Sequence, residues 1–203
     1  MQLKFRSAVA TALLATALMS TAFALEPGQK VDNFRLTDQR GQPHALYDLA
    51  DKKAVVIMVQ GNGCPIVRQA LPALAEVRAK YRDQGIEFLL LNSNLQDQRE
   101  LVAKEADEFK IDFPILVDET QRVGEALGVV RTSEVFVIEP KSWKVAYRGP
   151  MDDRLSYERQ RPAQHHYLTD ALDALVAGQP VKTPKADGVG CLVNFPERQR
   201  KTS

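Results

Sequence analysis

Residues 54–65 read AVVIMVQGNGCP, an apolar run that ends in a glycine turn, a cysteine and a proline. The run 54–59 is rich in β-branched residues, which is typical of a strand buried on both faces of a parallel sheet. After Cys64, apolar residues recur at spacings of three and four, which predicts an amphipathic helix over about 65–82. A strand, a turn and a helix form half of a βαβ unit, so this stretch predicts an α/β fold.

The flanking sequence continues the alternation of strands and helices. The apolar run Ile86–Leu91 predicts a second strand that returns parallel to the first through a right-handed crossover. The further predicted elements are a hairpin over 34–46, a helix over 95–109, a strand over 115–117, a helix over 121–127, a hairpin over 135–147 and a helix over 163–176. Together they predict a three-layer α/β domain with a central mixed sheet flanked by helices, an N-terminal β-hairpin and an irregular C-terminal tail over 179–203.

The N-terminus has the pattern of a secretory signal peptide. Lys4 and Arg6 precede a largely apolar run over 8–19, and the small-residue pattern AFA follows at 22–24. We predict that residues 1–24 are removed, which leaves a domain over 25–178 and its tail. The alternative is a membrane anchor, but a run of about a dozen residues is shorter than the roughly 20 needed to span a bilayer. Export predicts a periplasmic protein without a membrane span, in a compartment that oxidises cysteines.

Charge and cysteine content exclude several classes of protein. The 203 residues include 27 Lys and Arg against 26 Asp and Glu. Because there is no net positive field, nucleic acid is not an expected partner. Two cysteines are too few for a disulfide-stapled scaffold and cannot form a structural zinc site alone. Their chemistry is therefore expected to be local.

Cys64 is the first candidate for that chemistry. It precedes the predicted helix, and Pro65 after it is favoured at a first helical position. The partial positive charge and free N–H groups of a helix N-terminus stabilise a thiolate and lower the thiol pKa. The alternative is a small buried hydrophobic residue. A glycine-flanked turn at the carboxyl end of a central strand is, however, where open α/β sheets bind ligands, so we predict that Cys64 is a nucleophile.

Several motifs resemble a known group of proteins. GCPIVR at 63–68, with Pro72 eight residues after the cysteine, resembles the active-site helix of the thioredoxin superfamily. FPILVD at 113–118, ALGV at 126–129 and TSEVFVI at 132–138 resemble the second half of a redoxin domain. This group includes the peroxiredoxins (alkyl hydroperoxide reductase and thiol-specific antioxidant family) and the periplasmic TlpA-like thiol oxidoreductases. The resemblance covers about residues 28–150 and implies a thioredoxin-like fold and thiol redox chemistry that needs no organic cofactor.

Three positions depart from the patterns of these families. Val67 stands where a CxxC motif has its second cysteine, so disulfide exchange within that motif is excluded. Gly61 stands where the peroxiredoxin motif has a threonine, so the hydroxyl that helps to hold the peroxide is missing there. Ser133 stands at the position of the superfamily's cis-proline. A cis bond before serine costs roughly 3 kcal/mol, so we expect a trans bond.

The second cysteine lies in the tail. GVGCLV at 188–193 resembles the tail of secreted bacterial redoxin-domain proteins. The segment between Gly178 and Cys191 is long enough, when extended, to cross a domain of this size. We predict that Cys191 resolves oxidised Cys64 as an intramolecular disulfide. The alternatives are an independent tail thiol and an intermolecular disulfide.

Further candidates surround the nucleophile: Arg68 by its place one turn into the helix, Arg131 by the resemblance to peroxiredoxins, and Glu134 by its nearness to Arg131. Arg68 and Arg131 are candidate cations that stabilise the thiolate or a peroxide oxygen, although Arg68 is equally compatible with a solvated helix face. Glu134 is a candidate to relay a proton or to pair with an arginine. The candidate substrate-binding residues are Gly63, Pro65, Thr132, Ser133 and Glu134.

Two classes of function compete on these observations. The first is a periplasmic, peroxiredoxin-like thiol oxidoreductase that reduces a peroxide or a disulfide and receives electrons from another periplasmic thiol protein. The second is a copper carrier that binds Cu(I) through Cys64, Cys191 and His166. Copper-binding proteins of this fold use CxxxC, which would require a cysteine where this chain has Arg68. A third alternative is an adaptor domain, if Cys64 is inert.

Overall fold

The computed structural model of the protein describes residues 25–196. The predicted signal segment and the last seven residues of the tail lie outside the described residues. Within the described part of the chain, no helix is both long enough and apolar enough to cross a membrane.

Strands and helices alternate along the chain as predicted. In order they are β1 (Arg35–Asp38), β2 (Pro43–Ala45), a 3-10 helix (Leu46–Leu49), β3 (Ala54–Gln60), α1 (Pro65–Tyr81), β4 (Ile86–Asn92), α2 (Arg99–Glu108), β5 (Ile115–Val117), α3 (Arg122–Leu127), β6 (Val135–Glu139), β7 (Lys144–Gly149) and α4 (Tyr167–Val176).

Two helices begin four residues later than predicted, because polar residues hold the preceding backbone in other conformations. Before α2, the Asp97 N–H donates to the Asn94 carbonyl in a turn. Before α4, the Asp153 carboxylate accepts the N–H groups of Gln164 and His165 at 2.8 and 3.0 Å. Both segments contain apolar residues at helical spacing, but local hydrogen bonds compete with the helix there.

The sheet has the strand order β2-β1-β5-β4-β3-β6-β7. Strands β3, β4 and β5 are parallel, while β1, β2, β6 and β7 pair antiparallel to their neighbours. This confirms the predicted mixed sheet and the N-terminal hairpin. Strand β3 lies inside the sheet and is buried at every residue, so the turn that follows it starts from a rigid position.

Alternate residues of β3 pack into two separate cores. Val56 and Met58 face the core formed with α1, α2 and α4. Val55, Ile57 and Val59 face the core formed with α3 and the tail. The domain therefore has the predicted three layers, and the tail contributes to one of them.

The described part of the tail, residues 179–196, is irregular, as predicted, but it packs against the domain. Beside β7, the Arg148 N–H donates to the Pro184 carbonyl at 2.9 Å, and the Ala186 N–H donates to the Arg148 carbonyl at 3.2 Å. Further along, Val193 and Phe195 are 7% and 4% exposed in the core beside α3. The described part of the tail is thus held at two places, and the segment between them crosses the loop that precedes β6.

Candidate active site

Cys64 occupies the N-cap position of α1, directly after the turn that ends β3. Its backbone is extended, with φ −73° and ψ 114°, and Pro65 is the first helical residue. The Cys64 N–H donates to the Gly61 carbonyl, and its own carbonyl accepts the Arg68 N–H, each at 3.2 Å. The Cys64 side chain is only 4% exposed. The sulfur is therefore at the positive end of a helix, as predicted, but it is shielded from solvent.

The tail brings Cys191 to this sulfur. The two Sγ atoms are 2.7 Å apart. Next to them, the Thr132 N–H donates to the Cys191 carbonyl at 2.9 Å, and Arg131 pairs with Leu192 as an isolated antiparallel bridge. A short backbone pairing between the tail and the loop before β6 therefore positions the second cysteine.

Gly190 and Tyr157 support this pairing. A Cβ atom at Gly190 would lie 1.9 Å from the Thr132 carbonyl oxygen, so a side chain cannot be accommodated there. The Tyr157 hydroxyl donates to the Gly190 carbonyl at 2.8 Å and accepts the Gly190 N–H at 3.1 Å. Tyr157 also accepts a hydrogen bond from the Arg131 guanidinium at 2.9 Å. Tyr157 was not among the residues predicted from the sequence, since no local motif marks a residue that acts on a segment 33 residues away.

Thr132 supplies the hydroxyl that the motif around Cys64 lacks. Its Oγ1 lies 3.1 Å from the Cys64 sulfur and accepts the Cys191 N–H at 2.9 Å. Because that oxygen accepts from the amide, its own proton is available to the Cys64 sulfur. A Cβ atom at Gly61 would lie 2.9 Å from the Thr132 Cγ2. The absence of a side chain at 61 is therefore what allows Thr132 to approach.

The two thiols have opposite tendencies to ionise. Burial raises the pKa of Cys64, but hydrogen bonds from the Cys191 thiol, the Thr132 hydroxyl and the Val67 N–H outweigh it, so the pKa of Cys64 is lowered. Burial also raises the pKa of Cys191, and the adjacent Cys64 sulfur raises it further. Cys64 therefore ionises more readily than Cys191, and the Cys191 thiol is placed to donate to it.

Ser133 has an unusual backbone conformation beside the thiols. The bond before it is trans, as expected, and its φ is +62°. Its N–H donates to the Val59 carbonyl at 2.7 Å, which ties the loop to the end of β3. Its buried hydroxyl has no hydrogen-bond partner among the described residues. Ser133 therefore shapes the loop that carries Thr132.

The predicted charged residues form ion pairs or hydrogen bonds with groups other than Cys64. Arg68 bonds to Glu105 at 3.3 Å and stacks on the Phe109 ring at 3.8 Å, so its guanidinium is directed to α2. The Arg131 guanidinium donates a hydrogen bond to the Tyr157 hydroxyl, which in turn bonds to Gly190 of the tail. Of the two roles suggested for Glu134, the structure has the ion pair, with Arg148 at 2.6 Å. The contacts therefore do not support direct stabilisation of the thiolate by either Arg68 or Arg131.

A polar cluster behind the turn holds its backbone. The Gly63 N–H donates to Glu105 at 2.7 Å, and the Asn62 N–H donates to Asp97 at 2.9 Å. Asn92 at the end of β4 also donates to Asp97, at 2.9 Å. This cluster was not predicted from the sequence, although the meeting of the carboxyl ends of β3 and β4 could have indicated it. Gly63 and Pro65 stay on the surface of the site, where both are exposed.

The structure gives no support to the copper alternative. His166 lies at the start of α4, where its carbonyl accepts bonds from Thr169 and Asp170. Within residues 25–196, no group of three or more His, Cys, Asp or Glu side chains is arranged to hold a metal ion. The sulfur pair at Cys64 and Cys191 lacks the third ligand that this alternative requires.

The sheet, the helix-capping thiol and the second cysteine against it define a thiol oxidoreductase of thioredoxin-like fold. The sequence profile of the AhpC/TSA family matches residues 27–149. The chain belongs to the AhpC/TSA family.

Individual relatives agree with this assignment. The thiol-disulfide oxidoreductase ResA of Geobacillus kaustophilus is 29% identical over 145 residues, which cover 68% of this chain and 82% of ResA. An uncharacterised conserved protein of known structure from Geobacillus kaustophilus is 31% identical, with a TM-score of 0.75 over 84% of this chain and 93% of that one. Peroxidoxin BcpB of Mycobacterium tuberculosis shares the fold at 21% identity, with a TM-score of 0.55 over 75% of this chain and 95% of its own.

The first prediction concerns tail docking. Gly190→Ala places a methyl group against the Thr132 carbonyl, so we expect the tail to lift from the loop. Formation of the Cys64–Cys191 disulfide after addition of diamide should then slow by about tenfold or more, because the thiols no longer meet in a docked arrangement. The rate is measured by alkylating free thiols at intervals and recording the protein mass. Lys182→Ala, an exposed change in the same tail, is the control, and equal rates in the two variants would contradict the prediction.

The second prediction concerns the hydroxyl of Thr132. Thr132→Val keeps the shape of the side chain but removes the bond to Cys64, so the pKa of Cys64 should rise. Since the thiolate is the reactive form, the alkylation profile of Cys64 should move to higher pH. The alkylation rate below its midpoint should fall severalfold to about tenfold. Peptide mapping follows Cys64 against pH, and Thr132→Ser should retain the profile of the unmodified protein. An unchanged profile in Thr132→Val would show that the hydroxyl does not act on the sulfur.

Proposed function

We propose that this protein is an exported thiol-disulfide oxidoreductase whose redox couple is formed by Cys64 and Cys191. The observation that carries the proposal is the 2.7 Å contact of the two sulfurs, with the Thr132 hydroxyl 3.1 Å from one of them. Val67 excludes a second cysteine in the usual CxxC position. A redox cycle within one chain therefore uses the tail cysteine.

The reaction would proceed in two exchanges. The Cys64 thiolate attacks one sulfur of the substrate disulfide, whose S–S bond breaks, and the departing substrate sulfur leaves as a thiolate that takes up a proton. Cys191 then loses its proton and attacks Cys64 Sγ, which releases the second substrate sulfur as a thiol. The substrate gains two electrons, and the protein ends as the Cys64–Cys191 disulfide.

The surface around Cys64 offers a place for the substrate. Gly63 and Pro65 are exposed on the helix side of the site, and Thr132 and Ser133 form the loop on the opposite side. We assign substrate contact to Gly63 and Pro65, and also to Thr132 and Ser133, which are 2% and 6% exposed beneath the docked tail, when the tail lifts. Glu134 is left out of this set because its carboxylate is paired with Arg148.

Location and electron donor complete the proposal. The signal-like segment before residue 25 and the two cysteines favour an oxidising compartment, for which we propose the periplasm. A second thiol protein in that compartment would return the disulfide to two thiols. The similarity to ResA, a thiol-disulfide oxidoreductase, supports disulfide exchange as the reaction type.

The third prediction tests the roles of the two cysteines. With oxidised glutathione as the substrate disulfide, the unmodified protein should end as an intramolecular Cys64–Cys191 disulfide. Cys191→Ser should stop at a glutathione adduct on Cys64, because nothing resolves it. Cys64→Ser should react at least about tenfold more slowly, since Cys191 has the higher pKa. Peptide mass mapping distinguishes these products. Two independent glutathione adducts on the unmodified protein would refute the paired mechanism.

Peroxide is a second candidate oxidant, and the burial of Cys64 favours it. The Cys64 side chain is 4% exposed beneath the tail, so a small oxidant reaches it with less displacement of the tail than a larger disulfide requires. The Cys64 thiolate would attack a peroxide oxygen and break the O–O bond, which yields a sulfenic acid and an alkoxide or hydroxide that is protonated. Cys191 would then displace water to form the disulfide.

The fourth prediction concerns this second candidate. The reduced protein should be oxidised by hydrogen peroxide and by an organic hydroperoxide at least about tenfold faster than a free cysteine, because hydrogen bonds lower the pKa of Cys64. Stopped-flow fluorescence or quenched alkylation measures the rate, with Cys64→Ser as control. A rate equal to that of a free thiol would exclude peroxide reduction and leave disulfide exchange.

A further inference from the structure

A buried arginine holds the loop that precedes β6. Arg148 lies on β7 and is 4% exposed. Its guanidinium donates from Nη2 to the Gly128 carbonyl at 2.8 Å and from Nε to the Glu134 carboxylate at 2.6 Å. It also donates from Nη1 to the Leu25 carbonyl at 3.0 Å. The side chain therefore joins the N-terminal segment to both ends of the loop over 128–134.

The Glu134 carboxylate extends this restraint into the loop. Its second oxygen accepts the Val130 N–H at 3.2 Å, and the backbone carbonyl of Glu134 accepts the Val59 N–H at 2.8 Å. The side chains of Arg148 and Glu134 are only 5% and 12% exposed. Loss of one partner from a buried ion pair leaves an uncompensated charge, so the two groups remain together and fix the loop between them.

Thr132 lies inside the restrained span, between Val130 and Glu134. Its hydroxyl has to stay within hydrogen-bond distance of the Cys64 sulfur, which is 3.1 Å away. The next residue, Ser133, has a φ of +62°. A residue with a Cβ atom adopts this left-handed conformation at a cost, and it persists only where the surroundings enforce it. The position of the hydroxyl therefore depends on contacts from outside the loop.

We infer that Arg148 is a positioning residue, which holds the Thr132 hydroxyl against the Cys64 sulfur. It does so through its side-chain bonds to Gly128 and Glu134, at the two ends of the loop. This inference rests on the proposed function, in which Cys64 is the nucleophile. A change in the Arg148 side chain should therefore reach Cys64 by way of Thr132.

The test compares Arg148→Lys with the unmodified full chain, both in the reduced state. Lysine keeps the positive charge and the backbone bonds of residue 148 to the tail, but one ammonium nitrogen cannot reach three separate acceptors. We expect the alkylation profile of Cys64 to move to higher pH and the rate below its midpoint to fall severalfold. Peptide mapping follows Cys64 separately from Cys191. Lys144→Ala, an exposed change on the same strand, is the control and should leave the profile unchanged.

A double-variant cycle tests whether the effect passes through Thr132. Thr132→Val already lacks the hydroxyl, so the addition of Arg148→Lys to it should shift the Cys64 profile no further. Two shifts that add would show that Arg148 acts on Cys64 by another route, and the inference would be wrong.

The outcomes separate this inference from the proposed function. If Arg148→Lys has the circular dichroism spectrum and the Cys64 profile of the unmodified protein, the inference is overturned and the proposed function stands. If Cys64 of the unmodified protein is alkylated like a free cysteine at every pH, the proposed function fails, and the inference fails with it. If Arg148→Lys does not fold, the combined variant Arg148→Met and Glu134→Gln, which removes both buried charges, is judged by the same profile.

Discussion

The short backbone pairing between the tail and the loop before β6 is the interaction on which the site depends. The Thr132 N–H donates to the Cys191 carbonyl, and the Thr132 side-chain oxygen accepts the Cys191 N–H, each at 2.9 Å. Such hydrogen bonds contribute only about 1 kcal/mol each. Burial of Val193 and Phe195 therefore supplies a large part of the docking free energy. The two sulfurs belong to residues 127 positions apart in sequence. Burial of apolar side chains and a few hydrogen bonds together hold these sulfurs in contact.

The site also depends on two positions that have no side chain. Gly61 and Gly190 both lie against Thr132, and a Cβ atom at either would approach it to 2.9 Å or less. The threonine of the peroxiredoxin motif and Thr132 would therefore compete for one space. In this chain the hydroxyl comes from the loop beside the tail rather than from the turn before the cysteine. From that position Thr132 contacts both cysteines, so one side chain serves the nucleophile and the docked tail together.

The parts of the structure that the sequence predicted are those determined by local periodicity. The β3–α1–β4 unit follows from the spacing of apolar residues, and the placement of Cys64 follows from the turn and Pro65. The contacts of Arg68 could not be predicted in this way, because its partner Glu105 lies on another helix. Charge alone marked Arg68 as a candidate, but a nearby carboxylate in the folded chain determines what a guanidinium does. The docking of the tail was harder still to predict, because it depends on Thr132 and Tyr157, and no sequence motif links these residues to the tail.

Because the second cysteine lies in the tail, formation of a disulfide would be coupled to docking of the tail. In a CxxC motif both sulfurs belong to one helix end, so their distance hardly depends on the rest of the fold. Here the proposed disulfide would join two residues 127 positions apart through a docked segment, and without that bond non-covalent contacts alone hold the segment. Docking and disulfide formation are thus coupled equilibria, and such coupling is reciprocal. Docking would favour the disulfide by the same factor by which the disulfide favours the docked tail, so a change that weakens docking would favour the dithiol. Buried tail residues such as Phe195 therefore influence the reduction equilibrium without touching either sulfur.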